Sequence, residues 1–215
     1  MTTAKQARAA QPLDTDLVVR AALDVTREFG IDAVSMRVVA DRLGVTPMAL
    51  YRWVDTKDLL IKLVADEVVG QVALPDPGRD PQRDWRAMIM EAMTDYRRVA
   101  ARYPGVATLL LHGGFLPKAR RLVAAQLDVL ERAGLTPEQA RRMYASYQLL
   151  TLGRLTVDEA RRTRPARGPS HVRDPKIDAY LTELQHEDTF EDGSRLLLDD
   201  VQRAIEVNKA GSRRT

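Results

Sequence analysis

The chain lacks cysteine, and it has only three histidines, at positions 112, 171 and 186. Without cysteine there can be no disulfide framework, no thiolate nucleophile and no cysteine-bound zinc. The three histidines also lack the spacing of metal ligands, so we expect no histidine-based metal site. These absences favour a protein of the cytoplasm over a secreted, disulfide-stapled one.

Long apolar runs and strand patterns are missing as well. No stretch approaches the roughly 18 apolar residues of a membrane span, and residues 1–11 lack the hydrophobic segment of a secretory signal. There is no sustained apolar/polar alternation, and no Asn-Gly hairpin lies between β-branched runs. The sequence therefore predicts an all-α protein without membrane contact.

Enzyme signatures are absent too: we find no nucleophile elbow, phosphate-cradling glycine loop, His-x-x-x-His pair or paired carboxylates. We therefore expect no enzymatic activity, no cofactor and no metal. The charge balance is less informative, because up to Lys57 the chain has eight basic and seven acidic side chains. A nucleic-acid interface would depend on where each charge points.

N-cap residues and terminal glycines predict four helices in the first third of the chain. They start at Asp14 or Thr15, at Ser35, at Thr46 and at Asp55 or Thr56, and end near Gly30, Gly44, Trp53 and Ala73. Apolar spacing assigns the following residues to the core of these helices: Leu17, Ala21, Val25, Phe29, Val38, Val39, Leu43, Val45 and Leu50.

The stretch Pro75 to Gly78 is the best candidate for a linker. Beyond it, helices are predicted over residues 82–103, 106–112, 117–134, 136–164, 176–186 and 191–208, with a loop at 165–175. We therefore expect two domains. A helix-turn-helix domain covers residues 12–60, with its fourth helix continuing to about residue 74, and a larger helical domain for ligand binding and dimerisation covers 80–210.

The segment from Ser35 to Trp53 holds two short helices around the turn Leu43-Gly44-Val45. This is the arrangement of a helix-turn-helix, although many helical proteins contain such a corner as plain packing. The residues themselves distinguish a DNA-binding helix-turn-helix from a corner that only packs. With Ala40 in the second helix, Gly44-Val45 in the turn, Leu50-Tyr51 in the third helix and Lys57 beyond it, the segment resembles the DNA-binding domain of the TetR family.

This resemblance implies a set of DNA-binding residues: Ser35, Arg37, Thr46, Pro47, Met48, Ala49, Tyr51, Arg52, Trp53 and Lys57. Arg37 would fork onto guanine O6 and N7, and Met48 or Ala49 would touch a thymine methyl. Tyr51 and Lys57 would contact phosphates. Trp53 departs from the histidine or phenylalanine that is commoner in the family.

The remainder of the chain resembles the tetracycline-repressor subtype. Candidate ligand-binding residues are Met88, Met93, Leu109, Leu110, His112, Met143, Tyr147 and Leu150, each of which core packing would also explain. Their apolar character indicates a hydrophobic or aromatic effector. Ala73 and Val157 stand where the tetracycline binder has a histidine and a glutamate, so tetracycline with magnesium is not expected.

The resemblance also implies a homodimer whose two recognition helices read a palindromic operator in double-stranded DNA. Two apolar stripes would suit the dimer interface, Met143, Tyr147 and Leu150 on one helix and Leu196, Val201 and Ile205 on the other. The function implied is a repressor that a small molecule releases from DNA. The alternative is a helical partner-binding protein without operator binding, favoured by the near-neutral head and by Trp53.

Overall fold

The computed structural model describes residues 12–109, 116–163 and 174–212. These residues form helices without any strand, which confirms the all-α prediction. The helices are α1 Thr15–Phe29, α2 Met36–Leu43, α3 Pro47–Leu50, α4 Lys57–Val69, α5 Pro81–Ala100, α6 Val106–Leu109, α7 Pro117–Ala133, α8 Pro137–Thr163, α9 Pro175–Glu183 and α10 Glu187–Ser212, with a 3₁₀ turn at Ile31–Ala33. None of these described helices is long and apolar enough to cross a membrane.

Local hydrogen bonds set most helix starts where the capping residues predict them. Asp14 Oδ1 accepts from the Leu17 N–H at 2.7 Å, and Thr56 Oγ1 accepts from the Leu59 N–H at 3.0 Å. At the start of α8 the Gln139 N–H donates to Thr136 Oγ1 at 3.3 Å, while Gln139 Oε1 accepts from the Thr136 N–H at 2.9 Å. This reciprocal pair is a capping box, which satisfies two backbone donors at once.

Several helix boundaries differ from the prediction by a few residues, among them those of α3, α4 and α10. Helix α3 is only one turn long, and the Thr46 side chain makes no capping bond. Helix α4 ends at Val69 and not near Ala73, because the Gln71 and Val72 N–H groups turn back to carbonyls three residues earlier. Helix α10 begins at Glu187 and runs through Gly193, where an added Cβ would lie 3.4 Å from Leu150. An alanine here would make only ordinary van der Waals contact with Leu150, so α10 and α8 pack directly against each other at this position.

The apolar interior consists of two clusters. An inner cluster joins α1, α2 and α4 to the end of α5 and the start of α7, and an outer cluster is built around Trp85, Met93 and Ile205. The inner cluster means that the N-terminal helices do not pack in isolation. Two residues predicted for this core, Phe29 and Val38, are exposed.

A polar joint holds the N-terminal helices on the rest of the molecule. The Ile31 N–H donates to the Pro104 carbonyl at 2.9 Å, and the Tyr103 hydroxyl accepts from Arg27 at 2.9 Å. Gly105 has φ +81°, and a Cβ there would lie 2.6 Å from Ile31 Cγ2. Any other residue here would displace the Ile31 side chain and would also be strained by the positive φ.

Candidate functional site

The turn between α2 and α3 depends on Gly44, which has φ 69° and ψ 31° in the left-handed region. Its N–H donates to Asp41 O at 3.3 Å, and the Val45 N–H donates to Ala40 O at 3.0 Å. Ala40 itself is fully buried, as its small side chain allows. These bonds end α2 and turn the chain into α3, which is the geometry of a helix-turn-helix.

The segment of α3 presents large side chains to solvent from a fixed base. Met48 is 73% exposed, Tyr51 42% and Trp53 44%, whereas Leu50 and Val54 are fully buried. The Trp53 and Val54 N–H groups both donate to Leu50 O, at 2.8 and 3.0 Å, and so tighten the turn after α3. Exposed aromatic and apolar groups held on a rigid support are typical of an interaction surface.

Cations lie beside these groups. Arg52 and Lys57 are exposed, and neither has a carboxylate within ion-pair distance among the described residues. Lys57 is the first residue of α4, where the free N–H groups of the helix also favour an anion. Arg37 is exposed on α2, with its Nε 4.0 Å from Asp41. Exposed carboxylates lie in the same region, because Asp55 and Asp58 flank Lys57 and neither is in an ion pair among the described residues. The surface thus presents charges of both signs.

The structure places the ten predicted DNA-binding residues on α2, α3, the turn after α3 and the start of α4. All ten are exposed or partly exposed. Ser35 also has a structural role, because its Oγ caps α2 by accepting from the Val38 N–H at 3.2 Å. Val38 lies on the same exposed side of α2, and the prediction omitted it because its apolar side chain suggested the core.

A cavity of about 350 Å³ lies between α4, α5, α7 and α8. Its wall is mostly apolar, formed by Val69, Ala119, Leu122, Val123, Leu127, Ala145 and Leu152. The polar residues of the wall are Tyr96, Arg141, Tyr144 and Gln148. This volume and composition are those of a small-molecule site.

The residues predicted to bind the effector lie elsewhere. Met88, Met93 and Tyr147 are buried in the outer cluster, Met143 and Leu150 pack against it, and Leu109 packs against the inner cluster. His112 and Leu110 fall outside the described residues. None of the six described side chains lies in the wall of the 350 Å³ cavity.

The polar groups of that wall were missed by the sequence reasoning, although one signal points to them. Arg141, Tyr144, Gln148 and Leu152 recur along α8 at helical spacing and so share one face. Burial raises the pKa of Tyr144 to about 12, although Gln148 Nε2 donates to its hydroxyl at 2.9 Å. Burial also raises the pKa of Tyr96, whose hydroxyl is buried without a hydrogen-bond partner in the described part of the chain. Both phenols are therefore neutral at physiological pH.

Helix α4 connects this cavity to the helix-turn-helix. The buried Asp66 accepts from two backbone groups at the start of α7, the Ala119 N–H at 2.8 Å and the Lys118 N–H at 3.2 Å. Val69, three residues further along α4, and Ala119 both line the cavity. A change in the separation of α4 and α7 at the cavity would therefore shift α4, including its first residue, Lys57.

A second polar cluster joins α5, α8 and α10. The buried Arg154 forms an ion pair with Asp158, and Arg97 pairs with both Asp158 and Glu187. Burial opposes ionisation of Asp158, but the hydrogen bond from Arg154 and the charges of Arg154 and Arg97 outweigh it and lower its pKa. The cluster holds equal numbers of positive and negative groups, so it fixes three helices without a net buried charge.

Comparison with known proteins agrees with this arrangement. Residues 18–63 match the family described as bacterial regulatory proteins, tetR family. Over 105 residues, 49% of this chain and 43% of the relative, the sequence is 37% identical to an HTH-type transcriptional regulator of Saccharopolyspora erythraea. Over 126 residues, 58% of this chain and 57% of the relative, it is 31% identical to the tetracycline repressor protein class A from transposon 1721 of Escherichia coli. The chain thus matches about half the length of these curated relatives.

The fold agrees over a greater length. The crystal structure of a possible TetR family transcriptional regulator from Streptomyces coelicolor matches with a TM-score of 0.76 at 27% identity, covering 88% of this chain and 99% of that one. The family model, the sequence relatives and this structure all point to regulators of transcription and not to enzymes. Residues 18–63 thus match the tetR family of bacterial regulatory proteins, and most of the chain shares the fold of a possible TetR family transcriptional regulator.

Proposed function

We propose that this protein is a transcriptional repressor of the cytoplasm that binds operator DNA and is released from it by a small molecule. The observation that carries the proposal is the exposed group of Met48, Tyr51 and Trp53, held on the buried Leu50 and Val54. We assign DNA binding to residues 12–60 and effector binding and dimerisation to residues 80–210, with α4 between them.

In this proposal each exposed residue has a distinct contact. Met48, at the start of α3, meets a base edge in the major groove. Arg37 reads a guanine, because its guanidinium is exposed and 4.0 Å from an exposed carboxylate, a weak partner that a base can displace. Tyr51 and Lys57 hold phosphates and set the position of α3 in the groove.

The effector occupies the 350 Å³ cavity, and α4 transmits its presence. The cavity shares Val69 and Ala119 with the joint that Asp66 makes between α4 and α7. A ligand that fits better when this joint is opened favours a different position of α4 and of the recognition helix. It shifts the equilibrium only by its difference in affinity for the two positions.

We propose further that two copies of the chain assemble through α8 and α10. These helices pack together where Gly193 meets Leu150, and each has an exposed leucine near that contact, Leu149 at 65% and Leu196 at 69%. Of the apolar stripes predicted for the interface, Tyr147, Val201 and Ile205 are buried within the single chain, so they are not free for a partner. A two-fold dimer would place its recognition helices about 34 to 36 Å apart and so match a palindrome.

A fluorescence experiment tests DNA binding directly. The chain has two tryptophans, of which Trp85 is buried in the outer cluster and Trp53 is exposed on the proposed interface. We expect a palindromic fragment from the promoter next to the gene to shield Trp53 from acrylamide quenching, and the effect to weaken as salt is raised. A matched Trp53→Phe variant should lose the signal, because the remaining Trp85 is buried away from the proposed interface.

Random DNA of the same length is the control for this experiment. If operator fragments and random DNA shield Trp53 equally at every salt concentration, specific operator binding is refuted. If neither shields it and neither is shifted in a gel, the partner-binding alternative replaces the proposal.

A further inference from the structure

The wall of the 350 Å³ cavity contains one charged residue, Arg141. Its side chain is exposed at the edge of the cavity, and no carboxylate lies within ion-pair distance of it among the described residues. The nearest acidic residue along α8, Glu138, is engaged by Arg142 at 2.9 Å. Arg141 is thus a cation at the entrance of an apolar space with no anion of its own to neutralise it.

The remaining polar groups of the wall have complementary properties. The Tyr144 hydroxyl accepts from Gln148 Nε2 at 2.9 Å, which leaves its own proton to donate and leaves Gln148 Oε1 to accept. The wall contains no carboxylate, so no negative charge there opposes an anion. Arg141, Tyr144 and Gln148 follow one another along a single face of α8, with Arg141 exposed and Tyr144 buried.

We propose that the effector is an organic acid: a compact apolar body that fills the cavity and a carboxylate that pairs with Arg141 at its entrance. A guanidinium offers two parallel N–H donors to a carboxylate, and such charge-assisted pairs are stronger where water is partly excluded. The apolar wall supplies the remaining affinity by removing the body of the ligand from water. This inference rests on the proposed function, because it names the class of ligand for that same cavity.

The test uses two acids and their uncharged counterparts. We would titrate 2-naphthoate, 2-naphthamide, decanoate and decanamide into the whole protein by isothermal titration calorimetry. An acid should bind about tenfold more tightly than its amide, because only the acid can form the charge-assisted pair. Whether the ring or the chain binds better distinguishes an aromatic acid from a fatty acid.

Arg141 and Arg142 are a matched pair of variants, since they are neighbours on α8 and only Arg141 lines the cavity. The Arg141→Gln variant should bind acid and amide alike, whereas Arg142→Gln should keep the preference for the acid. Equal binding of acid and amide to the unaltered protein, equal loss in the two variants, or no binding of either acid would each overturn the proposal.

Operator binding in a gel, measured on the same preparations without ligand, separates this inference from the proposed function. Unaltered operator binding together with no preference for acids refutes only the class of effector. If the unaltered protein does not bind the operator, the repressor function is refuted, whatever the calorimetry shows.

Discussion

Removing the carboxylate of Asp66 is the sharpest test of the joint between α4 and α7. This buried side chain accepts from the Ala119 N–H at 2.8 Å and from the Lys118 N–H at 3.2 Å. Both donors belong to the first turn of α7, which has no partners for them within the helix. The Asp66→Ala variant would leave two backbone donors without an acceptor, one of them on the buried Ala119.

The expected loss follows from those two bonds. Hydrogen bonds to a charged group contribute roughly 1.5 to 3 kcal/mol each, and they are not additive when they share one carboxylate, so we expect Asp66→Ala to cost about 2 to 4 kcal/mol. Asp66→Asn keeps one acceptor oxygen and should cost about 1 to 2 kcal/mol. The neighbouring Glu67 pairs with the Lys118 ammonium at the surface, so Glu67→Ala should cost less than about 1 kcal/mol.

Urea unfolding followed by circular dichroism measures these differences in the free energy of unfolding, with Glu67→Ala as the control. If Asp66→Ala and Glu67→Ala are equally stable, Asp66 does not join the two helices in the way we describe. A second measurement addresses transmission. Asp66→Asn should reduce the change in operator affinity that an effector causes, while leaving effector affinity within about threefold.

Three further predictions concern the DNA surface, the dimer and the ion-pair cluster. Arg37→Ala should cost about 1 to 3 kcal/mol in operator binding and relax one base position, whereas Lys57→Ala should weaken all DNA sequences alike; equal losses on operator and random DNA for Arg37→Ala would contradict base reading. Leu196→Glu should give a monomer in sedimentation equilibrium with unchanged helical content, and a persistent dimer would place the interface elsewhere. The pKa of Asp158 is lower in the folded protein than in the unfolded chain, so its contribution to stability is complete above about pH 4 and is lost as the pH falls through the folded-state pKa. Asp158→Asn should therefore flatten the decline of melting temperature in acid. A decline as steep as that of the unaltered protein would show that Asp158 is not responsible.

The sequence predicted the parts of the fold that depend on neighbouring residues. Helix starts at Asp14, Ser35, Thr56 and Thr136 follow from side chains that accept a hydrogen bond three residues along the chain. The turn at Gly44 follows in the same way, because a left-handed residue closes the helix before it. The family resemblance rests on this local segment as well.

The residues that line the cavity could not be predicted in this manner. A methionine or leucine at helical spacing indicates a buried face but does not say which helix covers it. Helix α8 buries Tyr147 in the outer cluster and presents Tyr144 and Gln148 to the cavity, so apolar spacing alone does not separate its two faces. The same ambiguity explains why Val201 and Ile205 were assigned to a dimer interface although they pack inside the chain.

The amino-acid order thus determined most helix starts and the corner at Gly44, because hydrogen bonds over three or four residues set them. Tertiary structure decided where four helices leave a space between them, and that Arg141 lies at its entrance without a carboxylate partner among the described residues. A cavity is the volume that packing leaves unfilled, and it depends on the relative positions of α4, α5, α7 and α8, which no local pattern specifies.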